Sequence, residues 1–123
     1  MSRPRVAVLA QDLIWQDRLA RAVEAAGGEP ARAKTAPELD RALVGADFAI
    51  VDLTARAYDG VAAIARARQA GAKVLGVGQH DDVELRKQAL IAGAWKVLAY
   101  RKLFEDGPAV IGAFLGETVE AHA

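Results

Sequence analysis

Three aspartates lie along this chain where carboxylate chemistry could be done. Asp12 follows the apolar run Arg5-Val6-Ala7-Val8-Leu9-Ala10, Asp52 closes Phe48-Ala49-Ile50-Val51, and Asp59-Gly60 stands a loop further on. A run of β-branched and apolar residues without polar alternation reads as a strand buried on both faces, as in a parallel sheet covered by helices. In such sheets ligands and chemistry collect where strands end. Asp12, Asp52 and Gly78, the last at the end of Lys73-Val74-Leu75-Gly76-Val77, would then open on one edge of the sheet. Two carboxylates converging there make a hard oxygen site of the sort that suits Mg²⁺ completed by water and a backbone carbonyl. The plainer alternative for Asp52 is a cap on the segment that follows it.

The elements that must position these residues are legible in order. After the strand at Arg5–Ala10, Trp15, Leu19, Ala22, Val23 and Ala26 recur at helical spacing, and Gly27-Gly28 supplies a left-handed stop. Residues 29–34 read as a polar edge strand. Thr35-Ala36-Pro37-Glu38 has capping-box spacing and opens a short helix to Val44, stopped by Gly45. Beyond the strand ending at Asp52, a loop through Thr54, Arg56 and Tyr58 leads to a helix carrying Val61, Ile64 and Ala65 as far as Gly71. A strand follows at 73–77. Asp81-Asp82 then place negative charge at a helix start, where the macrodipole favours it, and that helix buries Leu85, Ala89 and Ala92 before Gly93. Trp95 to Tyr100 is the last expected strand. Asp106-Gly107-Pro108 opens a final helix weakened by Gly112 and Gly116. Five strands alternating with five helices imply a single α/β domain spanning 1–123, with an ordered core over about 5–119, built on a doubly wound parallel sheet.

Composition narrows the function. The chain of 123 residues has no cysteine, which excludes disulfides, thiolate metal sites and thiol nucleophiles. Sixteen basic and sixteen acidic residues give a formal net charge of zero, so no global field draws it to nucleic acid or an anionic membrane. No apolar run is long enough for a membrane span or a signal segment, and a cytoplasmic location is expected. His80 beside Asp81-Asp82 is better read as solvated than as a metal or acid-base group, and Gly76-x-Gly78 lacks the rest of a dinucleotide fingerprint. No Ser-His-Asp arrangement is legible, and the chain is expected not to be an enzyme.

From about Arg5 to Phe104 the pattern resembles the receiver domain of two-component response regulators, a CheY-like family with a flavodoxin-like sheet of strand order 2-1-3-4-5. The resemblance places Gln11 and Asp12 at the family's two acidic positions, Asp52 at the phosphoacceptor and Asp59-Gly60 in the motif that usually reads Met-Asp-Gly, while Ala92-Gly93-Ala94 matches its Ala-Gly-Ala. It implies a weak Mg²⁺ site at Asp12 and Asp52, because Gln11 removes one charge. The departures matter as much. Gly78 takes the Ser/Thr position, Tyr100 the lysine position, Val97 the aromatic switch position and Arg56 the place of a loop proline. Lys102-Leu103-Phe104 resembles the family's Lys-Pro-Phe, so a longer fifth strand would let Lys102 replace the lysine.

This points to an atypical, stand-alone receiver, a pseudo-receiver that acts by protein–protein interaction with phosphorylation impaired or absent. The alternatives are a phosphorylatable receiver using Asp52 with Mg²⁺, and a small flavodoxin-like ligand-binding module. The last is disfavoured because bulky Gln11-Asp12-Leu13-Ile14 occupies the place of a donor-rich phosphate loop. The partner would be supplied in trans, a histidine kinase, a downstream effector or a second copy of the chain. Its expected docking surface is formed by Val83, Lys87 and Leu90, turned away from the inward face of their helix, together with Trp95.

Overall fold

The computed structural model describes residues 3–79 and 81–120, so His80 and His122 lie outside the described residues. The elements run β1 (Arg5–Leu9), α1 (Leu13–Ala25), β2 (Glu29–Ala33), α2 (Ala36–Ala42), β3 (Phe48–Asp52), α3 (Gly60–Gln69), β4 (Lys73–Gly78), α4 (Val83–Ala92), β5 (Lys96–Ala99) and α5 (Tyr100–Glu120). All five strands are parallel in the order β2-β1-β3-β4-β5. This is the expected doubly wound sheet.

Strand periodicity divides the core into two layers. Val6, Val8, Phe48, Ile50, Leu75 and Val77 face α1 and α5, where they pack on Leu19, Val23, Ile111 and Phe114. Their neighbours Ala7, Leu9, Ala49, Val51 and Val74 face the opposite way, onto Leu39, Ile64, Ala67 and Ala89 of α2, α3 and α4. Both sides being covered, β3 is buried at every residue, which is why its sequence shows no polar alternation. Each fully buried Leu, Ile, Val or Phe contributes about 1.5–3 kcal/mol.

The helix ends follow their capping chemistry. Thr35 Oγ1 accepts from the Glu38 amide, while Glu38 Oε1 reaches back to the Lys34 amide. Asp82 caps α4 through the Leu85 amide. Gly93 closes α4 with φ of 118°, a conformation that excludes most side chains, and a Cβ there would also strike Arg68 Cγ at 2.6 Å.

The last strand and helix differ from expectation. Trp95 and Tyr100 fall outside β5, and helical structure begins at Tyr100 rather than beside Pro108. The extra turn buries Leu103 and aligns the pairs Arg101–Glu105 and Lys102–Asp106. Asp106 interrupts it with φ −134° and ψ 31°. Pro108 accounts for the kink, since its ring conflicts with the Phe104 carbonyl one turn earlier.

Candidate functional site

The carboxyl ends of β1 and β3 form a closely bonded corner. Asp12 is the N-cap of α1: its Oδ1 accepts from the Ile14 amide at 2.8 Å and the Trp15 amide at 3.1 Å. Gln11 Oε1 crosses to the β3–α3 loop and accepts from the amides of Arg56 at 3.0 Å and Ala57 at 3.2 Å. Behind them, buried Gln16 ties β1 to β2 by donating to the carbonyls of Ala10 and Ala33.

Asp52 and Gln16 are the two buried polar side chains among the described residues, and Asp52 is 1% exposed. Its Oδ1 accepts both the Thr54 amide at 2.8 Å and the Thr54 hydroxyl at 2.7 Å. Thr54 was not singled out as a site residue from the sequence, although aspartate followed two residues later by a hydroxyl residue is the signal of such a local turn. The loop is closed by Tyr58, whose single hydroxyl proton is shared between the Asp52 carbonyl at 2.7 Å and the Leu9 carbonyl at 3.2 Å. Burial, and secondarily the Asp52 charge, raise the Tyr58 phenol pKa well above its ordinary value. Asp59 caps α3 through the Ala62 amide. Gly60 must be small, since a Cβ there would lie 2.8 Å from Leu53 Cδ2 and 3.2 Å from its Cα.

Gln11, Asp12, Asp52, Thr54 and Arg56 line one open cleft of about 380 Å³, so the sequence-predicted acidic residues do converge. Their donor set fits magnesium poorly. Each carboxylate already has one oxygen engaged, the amide oxygen of Gln11 is turned to the loop, and no group of three or more His, Cys, Asp or Glu suited to a metal occurs among the described residues.

The ends of β4 and β5 are of another kind. Gly78 pairs with Ala99, and a Cβ built on it would rest against Leu53 at 3.5 Å. Val97 is half-buried against the α2–α4 layer of the core. Tyr100, one residue past β5, stacks on Trp15 with ring centroids 3.8 Å apart. Its phenol oxygen is buried without a hydrogen-bond partner in good geometry, a condition that costs about 1–3 kcal/mol, and the polar side chains it faces are Asp52 and Thr54. Burial above all, then the Asp52 charge, pushes the pKa of this phenol far up. The longer fifth strand that would let Lys102 replace the lysine is not formed. With β5 ending at Ala99, Lys102 sits in the first turns of α5 and its Nζ lies 3.2 Å from Asp106 Oδ2.

The expected docking surface also divides. Val83, Leu90 and Lys87 are exposed on α4, the first two at 59% and 44%, and Ile91 beside them, which the sequence reading passed over, is 86% exposed. Trp95 is not part of this patch. It is half-buried on the other layer, with its ring 5.5 Å from that of Phe114 and the ammonium groups of Lys73 and Lys96 at 4.2 Å and 4.6 Å. The alternation that turns Ala94 toward one layer sends Trp95 to the other.

Known structures share this architecture. A receiver domain protein (CheY-like) from Methanospirillum hungatei JF-1 aligns with a TM-score of 0.78 over 98% of this chain and 99% of its own, at 23% identity. The fold is that of a receiver domain. The BeF3-activated DrrB receiver domain matches with a TM-score of 0.79 over 97% of this chain and 99% of that one, at 14% identity. A response regulator from Burkholderia pseudomallei, with a phosphorylated aspartic acid, calcium ion and citrate, aligns at 0.69 over 78% of this chain and 59% of its own, at 23% identity. No protein-family model matches the chain, and no curated protein matches it either.

Proposed function

We propose that the chain is a receiver-like signalling module that works in the cytoplasm by contact with a partner protein, catalyses no reaction of its own, and has aspartyl phosphorylation impaired or absent. The observation that carries this reading is the pair at the ends of β4 and β5. Gly78 offers no hydroxyl and Tyr100 no cation, so a phosphoryl group on Asp52 would gain charge without the contacts that normally answer it. Switching needs a two-state element that the added charge can bias, and Val97 has no ring to turn inward. The partner surface in this reading is the outward stripe of α4, Val83, Lys87, Leu90 and Ile91, without Trp95. A kinase, an effector or a second copy of the chain are the partner classes it suits.

A second reading is favoured by one observation: Asp52 stands at the end of β3 beside Asp12, with Asp59-Gly60 correctly placed at the start of α3. On that reading the chain is phosphorylated with Mg²⁺ and switches. Amide NMR spectra with and without beryllofluoride and Mg²⁺ separate the two. Shifts confined to the neighbourhood of Asp12, Asp52 and Gly78 are expected, whereas shifts spreading through residues 83–100 establish a working switch and the second reading.

A further inference from the structure

Two tyrosines approach Asp52, and only one of them has its hydrogen bonds. Tyr58 is satisfied by two main-chain carbonyls. Tyr100 is not: its hydroxyl has lost contact with water and has gained no partner in exchange. Such a group in a folded interior either accepts a destabilising loss or settles on the nearest acceptor. The side chains it faces are Asp52 and Thr54, and the Thr54 hydroxyl already donates to Asp52 Oδ1 at 2.7 Å. Of the acceptors there, the other Asp52 oxygen carries charge, and a bond to it is about twice as strong as one to the neutral Thr54 hydroxyl.

The surroundings hold the ring in that position. The Trp15 ring lies against it with centroids 3.8 Å apart, the Trp15 main-chain N–H donates to Asp12 Oδ1, and the Arg18 guanidinium covers the indole at 5.1 Å. Strand alternation puts Asp52 on the same layer of the sheet as these rings, since Phe48, Ile50 and Val77 all face that way.

We propose that Tyr100 is a positioning residue for Asp52: its hydroxyl donates to the carboxylate oxygen that Thr54 leaves free, and the carboxylate, held by Thr54 on one oxygen and by Tyr100 on the other, is withheld from phosphoryl donors in the cleft. A neutral donor thus satisfies Asp52 inside the chain. The inference rests on the reading of Asp52 as a phosphoacceptor position with impaired reactivity, and it identifies the residue that impairs it.

The reaction suppressed is attack by that free oxygen on the phosphorus of a small acyl phosphate. A phosphorus–oxygen bond forms at Asp52, the bond to acetate breaks, and acetate leaves with the electron pair. The test incubates the wild-type chain, Tyr100→Phe and Tyr100→Ala, each with and without Asp52→Asn, with acetyl phosphate and Mg²⁺, and follows intact mass. Tyr100→Phe keeps the ring on Trp15 and removes only the hydroxyl, so it does not depend on the alanine variant folding. Labelling at least tenfold faster than wild type in Tyr100→Phe, and abolished by Asp52→Asn, is the expected result. Equal rates in wild type and Tyr100→Phe overturn the inference. The two failures are distinguishable: rapid labelling of the wild type removes the functional reading as well, whereas no labelling in any variant removes only the role of Tyr100.

Discussion

The two halves of the strand-end site differ in how much of their chemistry the fold itself requires. On the β1–β3 side, Asp12 caps α1, Asp59 caps α3, Asp52 organises its loop through Thr54, and Gly60 permits the close approach of α3 to Leu53. On the β4–β5 side, Gly78, Val97 and Tyr100 have no comparable local bonds, and Tyr100 carries an unmatched hydroxyl. The side chains of the β1–β3 corner hold whole elements in place, and those at the ends of β4 and β5 make no such caps. A scaffold can keep its shape under that division because caps and close contacts each hold an element in place, whereas a missing phosphate contact leaves nothing unfolded.

The sharpest way to break this comparison is to make the same kind of change on each side. Gly60→Ala forces a Cβ against the Leu53 backbone and should cost about 1–3 kcal/mol, read as a lower midpoint in urea unfolding. Gly78→Ser, whose Cβ meets Leu53 at an ordinary 3.5 Å, should change stability by no more than about 0.5 kcal/mol. Equal losses would show that both halves are structural.

A somewhat smaller effect separates capping from metal binding at Asp12. Asp12→Ala should cost about 1 kcal/mol in the presence of a chelator, and Asp12→Ser, which can still accept from the first-turn amides, should recover most of it. If the loss appears only when Mg²⁺ is added, Asp12 belongs to a metal site rather than to the helix.

The smallest expected signal is magnesium itself. With Gln11 turned to the loop and one oxygen of each carboxylate occupied, half-saturation is expected in the millimolar range or weaker, followed by the fluorescence of Trp15. Trp15 is a close reporter because its amide bonds Asp12 and its ring stacks on Tyr100. Tight, saturable binding would mean that the β1–β3 corner rearranges to ligate metal.

Much of the fold was decided by local chemistry that a sequence displays directly. Uninterrupted apolar runs gave buried parallel strands, Thr35-x-x-Glu38 and Asp82 gave helix starts, and Gly27, Gly45, Gly71 and Gly93, all with positive φ, gave helix stops. The same spacing places Asp12 and Asp52 at neighbouring strand ends. Other features were set only by packing. The first turn of α5 forms because Leu103 finds the core and two ion pairs align along it, neither of which propensity alone specifies. Trp95 leaves the α4 patch because its ring packs on Phe114 in the opposite layer. Gln11 and Tyr100 take their places from groups far along the chain, in the loop after β3 or across the sheet, and only the folded chain brings those groups together, whereas Thr54 bonds Asp52 two residues away.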